Sequence, residues 1–111
     1  MRAPLRFLLA IFGLLCGPPL AVLAWAAVSH AIAQKDRTFQ LSAITIAAGD
    51  TLLFTNEDPF LHQIYVKSPT MNFESSEQPP GKTVEVPFAE PGSFEVRCHI
   101  HPKMSLTVTV K

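Results

Sequence analysis

From about residue 38 onward the apolar side chains recur with a period of two, and that period dictates extended structure, since a helix needs about 3.6. Phe39 and Leu41, then Ile44 and Ile46, alternate with polar or small residues. Thr51-Leu52-Leu53-Phe54-Thr55 reads as the next strand, and His62 to Lys67 resumes extended chain after Asn56-Glu57-Asp58-Pro59. A short strand is expected at Met71 to Phe73, inside a loop that holds Pro69, Pro79, Pro80 and Gly81. Thr83 to Phe88 alternates cleanly, and Ser93 to Cys98 and Ser105 to Val110 follow. Ala47-Ala48-Gly49-Asp50 and Glu90-Pro91-Gly92-Ser93 carry turn chemistry. Short strands at regular spacing, punctuated by Pro and Gly, predict an antiparallel all-β sandwich or barrel.

The chain before this pattern has a different composition. Met1 to Arg6 is basic, Phe7 to Leu15 is wholly apolar, and further apolar residues run to Val28. Ala31-Ile32-Ala33 has the small-x-small form of a signal-peptidase site. This order reads as a secretory signal over residues 1–33, with the domain at residues 34–111; cleavage after Ala26 is the alternative. The stretch is also long enough to remain as an uncleaved membrane anchor facing the periplasm, a reading opposed by Pro18-Pro19 in its middle. Leu15 before Cys16 is bulkier than the small residue that lipid-anchoring sites resemble. The expected location is periplasmic or otherwise exported.

Downstream of residue 33 the chain holds seven Lys/Arg against nine Asp/Glu, net −2, unlike the strongly basic footprint of a nucleic-acid binder. Such a small domain supports only a modest core. No disulfide can brace it, because Cys98 is the one cysteine in this part. A lone thiol in an exported protein invites oxidation unless something occupies it, and a bound metal would both occupy it and add folding energy.

The thiol has suitable company. In Cys98-His99-Ile100-His101-Pro102-Lys103-Met104 a thiolate, an imidazole and a thioether stand three residues apart. Strand parity puts Phe94, Val96 and Cys98 on the inner face and sends Glu95, Arg97 and His99 outward. The turn after Cys98 returns His101 and Met104 toward it, and His62 comes from a loop at the same end. Two imidazoles, one thiolate and a distant thioether form the donor set expected of a type 1, blue-copper, electron-transfer site. The metal ligands expected are therefore His62, Cys98, His101 and Met104, with one copper ion as cofactor. Met71, with no such company, reads as packing.

At these residues the chain resembles the cupredoxin family, in particular its small plastocyanin- and amicyanin-type members. Ile44 to Asn56 resembles the family's opening strand, Gly-Asp turn, strand and Asn. Pro59-Phe60-Leu61-His62 is similar to its first-ligand loop, and Cys98-x2-His101-x2-Met104 to its short ligand loop. The resemblance implies a Greek-key β-sandwich, one type 1 copper and single-electron shuttling between redox partner proteins. Gln63 stands where many relatives have an Asn that ties the two ligand loops together.

Structural zinc motifs carry paired cysteines and no Met. A dinuclear copper centre needs two bridging cysteines. A Cys–His nucleophilic enzyme lacks an acid partner, so no enzymatic activity is expected. A carboxylate from Glu57 or Asp58 in place of Met104 would make a different copper site. A copper carrier with no electron-transfer role would use similar ligands and stands as the alternative function. Redox partners are expected to dock on an apolar ring of Pro59, Phe60, Leu61 and Pro102 around His101; nucleic acid is not an expected partner, and a membrane is one only if the N-terminal segment stays attached.

Overall fold

The alternating segments do become strands. The computed structural model describes residues 26–111 together with Arg2 and Gly17. Among these residues there is no helix, and the strands are β1 (Ser29–Lys35), β2 (Thr38–Phe39), β3 (Ala43–Ile46), β4 (Thr51–Asn56), β5 (Ile64–Lys67), β6 (Asn72–Glu74), β7 (Thr83–Pro87), β8 (Gly92–Cys98) and β9 (Ser105–Val110). They form two sheets, ordered β2-β1-β4-β7 and β3-β9-β8-β5-β6. The result is a β-sandwich, one of the two architectures expected from the alternation and the Greek-key fold that the resemblance implies.

Between the sheets, inward positions fill the core. Leu52 and Phe54 of β4, Ile64 of β5, Val96 of β8 and Leu106 and Val108 of β9 are all fully buried. The Phe39 ring meets Phe54 edge-on at 5.5 Å, closing the core beside the short β2. Parity holds along β8: Phe94, Val96 and Cys98 are buried, while Glu95 is exposed. Leu41 departs from the alternation and is 44% exposed, because the chain leaves the first sheet after Phe39 and crosses to β3 in the second.

Pairing is mostly antiparallel, but β1 with β4 and β3 with β9 run parallel. Both exceptions come from the N-terminal third, whose strands insert beside partners that arrive later in the chain. The boundary expected between Ala33 and Gln34 falls inside β1. Ser29 to Gln34 pair in parallel with Thr51 to Asn56, Ile32 is 2% exposed and Gln34 is fully buried. Small and apolar residues suit a signal-peptidase site and a buried strand equally, so the Ala-x-Ala pattern does not distinguish them. The rest of the expected signal segment lies outside the described residues, apart from Arg2, Gly17 and residues 26–28.

Gln34-Lys35-Asp36-Arg37 ends β1 and turns it into β2. Lys35 pairs with Thr38, leaving Asp36 and Arg37 as a two-residue hairpin loop. Both have left-handed backbones, φ 54° and 55°, as the twist of a tight hairpin demands. Neither is glycine, so something must hold them there. That hold comes from the site.

Candidate metal centre

Three elements converge at one end of the sandwich. Cys98 ends β8, Met104 immediately precedes β9, and His62 precedes β5. His62 is fixed by a two-way backbone bridge: its N–H donates to the Gln78 carbonyl at 3.1 Å, and the Gln78 N–H donates back at 2.7 Å. The turn between β8 and β9 is closed by the Met104 N–H donating to the His101 carbonyl at 3.0 Å. Cys98, His62 and Met104 are buried and His101 is half-buried.

Cys98 Sγ lies 3.6 Å from His62 Nδ1 and 3.9 Å from His101 Nδ1, and all three donor atoms fall within 4.8 Å of one another. A first-row ion bonded to sulfur at about 2.3 Å and to nitrogen at about 2.0 Å, with about 120° between the bonds, separates its donors by about 3.7 Å. The spacing thus fits one small metal ion. The donor chemistry, two imidazoles and a lone thiolate with buried Met104 at the head of β9, fits copper better than zinc.

A layer behind the ligands orients them. Asp58 Oδ2 lies 2.8 Å from His62 Nε2 and accepts its proton in a hydrogen bond, which turns Nδ1 toward Cys98. Asp58 thus supports the site from behind rather than entering it, and Glu57 is exposed. The same carboxylate accepts the N–H groups of Asp36 at 2.7 Å and Arg37 at 3.1 Å, which pins the left-handed turn. Burial pushes the Asp58 carboxyl up. The His62 ring and the Arg37 and Asp36 amides outweigh that and hold it below the usual carboxylate range.

Asn56 shapes the loop between them. Its Oδ1 accepts the Asp58 N–H at 2.9 Å, while its Nδ2 donates to the carbonyls of Phe60 and Gln78.

The tie between ligand loops that Gln63 leaves open is made by backbone. The Gln63 N–H donates to Cys98 Sγ at 3.4 Å, and the His99 N–H donates to the Gln63 carbonyl at 2.9 Å. The Gln63 side chain turns instead to the Ser75 carbonyl at 3.0 Å. His99 points outward as parity requires. It is 43% exposed, stacks on Tyr65 with centroids 3.9 Å apart, and its Nε2 lies 3.2 Å from Glu74.

Phe60 wedges against both imidazoles, 5.6 Å from His62 and 5.1 Å from His101 between ring centroids. The Arg37 guanidinium lies over the same ring, 4.7 Å from its centroid. Burial, then the nearby charges of His62 and Arg37, hold the His101 ring below the usual histidine range, against a smaller opposing pull from Asp58. The structure brings together His62, Cys98 and His101, three of the four expected ligands, while the supporting role of Asp58 and the presence of Arg37 lay beyond sequence reasoning. The only available signal was the closeness of Asp58 to His62 in the chain.

The Cupredoxin-like domain family matches residues 6–110, and the chain belongs to that family. Solved structures of similar fold include two single-residue variants of amicyanin. A reduced one has TM-score 0.69 at 16% identity, covering 75% of this chain and 82% of that one. A Cu(I) one has TM-score 0.70 at 17% identity, covering 78% and 85%. A Cu-containing nitrite reductase from Thermus scotoductus SA-01 matches with TM-score 0.67 at 24% identity over 78% of this chain but 22% of its own. The donor set and the family together define the cofactor as one copper ion.

Proposed function

We propose that this protein is an exported type 1 copper protein that carries single electrons between redox partners, with His62, Cys98, His101 and Met104 as its ligands. One observation carries the reading: His62 Nδ1, Cys98 Sγ and His101 Nδ1 converge within 4.8 Å from separate elements. Copper supplies the one-electron couple between Cu(I) and Cu(II). The chain supplies a mixed set in which sulfur favours the reduced ion and imidazole suits the oxidised one. The backbone bridges at His62, Gln63 and Met104 hold that set in one arrangement, so little need move when charge changes. The Asp58 carboxylate keeps His62 oriented, and the Gln63 N–H places a partial positive charge on the Cys98 sulfur.

His101 is the half-buried ligand, with exposed Pro59, Leu61 and Pro102 and half-buried Phe60 on the neighbouring loops. That apolar ring is proposed as the docking face, where encounters are small and transient. A carrier rather than an enzyme is favoured because the four expected ligands leave no position for substrate. We place export ahead of β1: cleavage after Ala26, where Ala24-Trp25-Ala26 also has the small-x-small form, keeps the strand whole.

The test is to load the protein with Cu(II) and record visible and electron paramagnetic spectra. Intense thiolate-to-copper absorption is expected, lost in Cys98→Ser and retained with a shifted potential in Met104→Gln. A colourless protein that holds only Cu(I) would instead identify a copper carrier.

A further inference from the structure

Beside His101 lies a shallow depression of about 430 Å³, lined by Arg37, Thr38, Ile100, His101, Pro102 and Lys103. Its floor is apolar, with Ile100 42% exposed, and its rim carries two cations. Neither cation takes part in an ion pair among the described residues. Arg37 is anchored at both ends. Asp58 fixes its backbone, and its guanidinium rests on Phe60. A cation held this way has less side-chain freedom to lose when it meets a carboxylate.

No acidic residue lines the depression. Asp50 and Asp58 are buried in hydrogen bonds, Glu74 faces His99, and Glu95 faces Arg97. Asp36 and Glu57, exposed nearby in sequence, do not line the depression. The domain is thus negative in total but positive where the half-buried ligand meets solvent.

We propose that the redox partner docks here with an acidic face, its carboxylates engaging Arg37 and Lys103 around an apolar centre seated on Ile100 and Pro102. The proposal rests on the electron-carrier reading and adds the chemistry of the partner. Opposite charges would steer the encounter and set its orientation, while the apolar floor excludes water between the two redox centres.

Two compact anions test it. Hexacyanochromate(III), which is paramagnetic and does not react, is titrated into the metal-free protein while amide resonances are followed. Broadening is expected at residues 37, 38, 100, 101 and 103. It should weaken roughly threefold or more in Arg37→Gln and in Lys103→Gln, but not in Lys67→Gln.

With copper bound, the reduced protein passes one electron to hexacyanoferrate(III), giving hexacyanoferrate(II). The second-order rate constant should fall between about 10 mM and about 0.2 M salt, as the screening length shrinks from about 30 Å to under about 10 Å. Control by net charge alone predicts the opposite slope. Broadening elsewhere, broadening unchanged in both rim variants, or a rate that rises with salt would overturn the proposal. Failure of the copper reading would show separately as missing thiolate-to-copper absorption, with the metal-free titration unaffected.

Discussion

Asp58 concentrates more of the site's organisation than any ligand does. Its two oxygens receive three donors: the Asp36 N–H at Oδ1, and the Arg37 N–H and His62 Nε2 at Oδ2. Asn at this position offers one oxygen, so Asp58→Asn leaves at least one of these donors without an acceptor. That should cost about 1–3 kcal/mol in urea unfolding of the metal-free protein. Looser control of His62 should also weaken copper binding by about 10–100-fold, read by competition with a chelator. Unchanged affinity would mean that the backbone bridge to Gln78 alone positions His62. The effect is separable from that of the ligands, since Cys98 and His101 keep their own contacts.

At the scale of elements, β1 is the strand on which the domain boundary turns. A chain beginning at Gln34 loses the pairing of Ser29 to Ala33 with β4 and the buried Ile32 side chain, which alone is worth about 2–5 kcal/mol. Proteins beginning at Ala27 and at Gln34 should therefore differ widely in urea midpoint, the shorter one unfolding first or failing to fold. Equal midpoints would make β1 dispensable.

The start of β1 is held by the turn between β3 and β4. Asp50 Oδ1 accepts the Val28 N–H, and Oδ2 accepts the Ala47 N–H and faces His30 Nε2, each at 3.0 Å. The His30 ring, followed by the Val28 and Ala47 amides, lowers the Asp50 carboxyl from 3.8 to about 2. Its folded value is the lower one, so its contribution is present above about pH 4 and is lost as pH falls through about 2. Asp50→Asn should flatten the stability curve in that window, measured by urea unfolding from pH 5 downward.

Over the whole molecule, a small two-sheet core with no disulfide among the described residues leaves bound copper as a substantial source of stability. Copper at about a hundredfold over its dissociation constant should add about 2.7 kcal/mol, seen as a raised melting temperature that Cys98→Ala abolishes. The gain should extend to β1, because Asp58 joins its hairpin to His62.

The sequence by itself determined the strands from β3 onward and singled out His62, Cys98 and His101, which the fold brings together, and Met104 beside them in the chain. Both are local signals: a period of two gives the strand and its inner face, and Cys98, His101 and Met104 declare their chemistry by type and spacing. Parity alone sent His99 outward. Tertiary structure decided what depends on distant partners. β1 looks like export signal until β4, which follows it in the chain, pairs with it. Gln34 and Gln78 look like surface residues until a 2.8 Å hydrogen bond joins them in the interior. Arg37 reads as a solvated charge until Asp58 holds its backbone left-handed and Phe60 receives its guanidinium. Pattern and donor chemistry are written residue by residue, whereas a lone pair's direction and a strand's neighbour exist only once the chain has closed on itself.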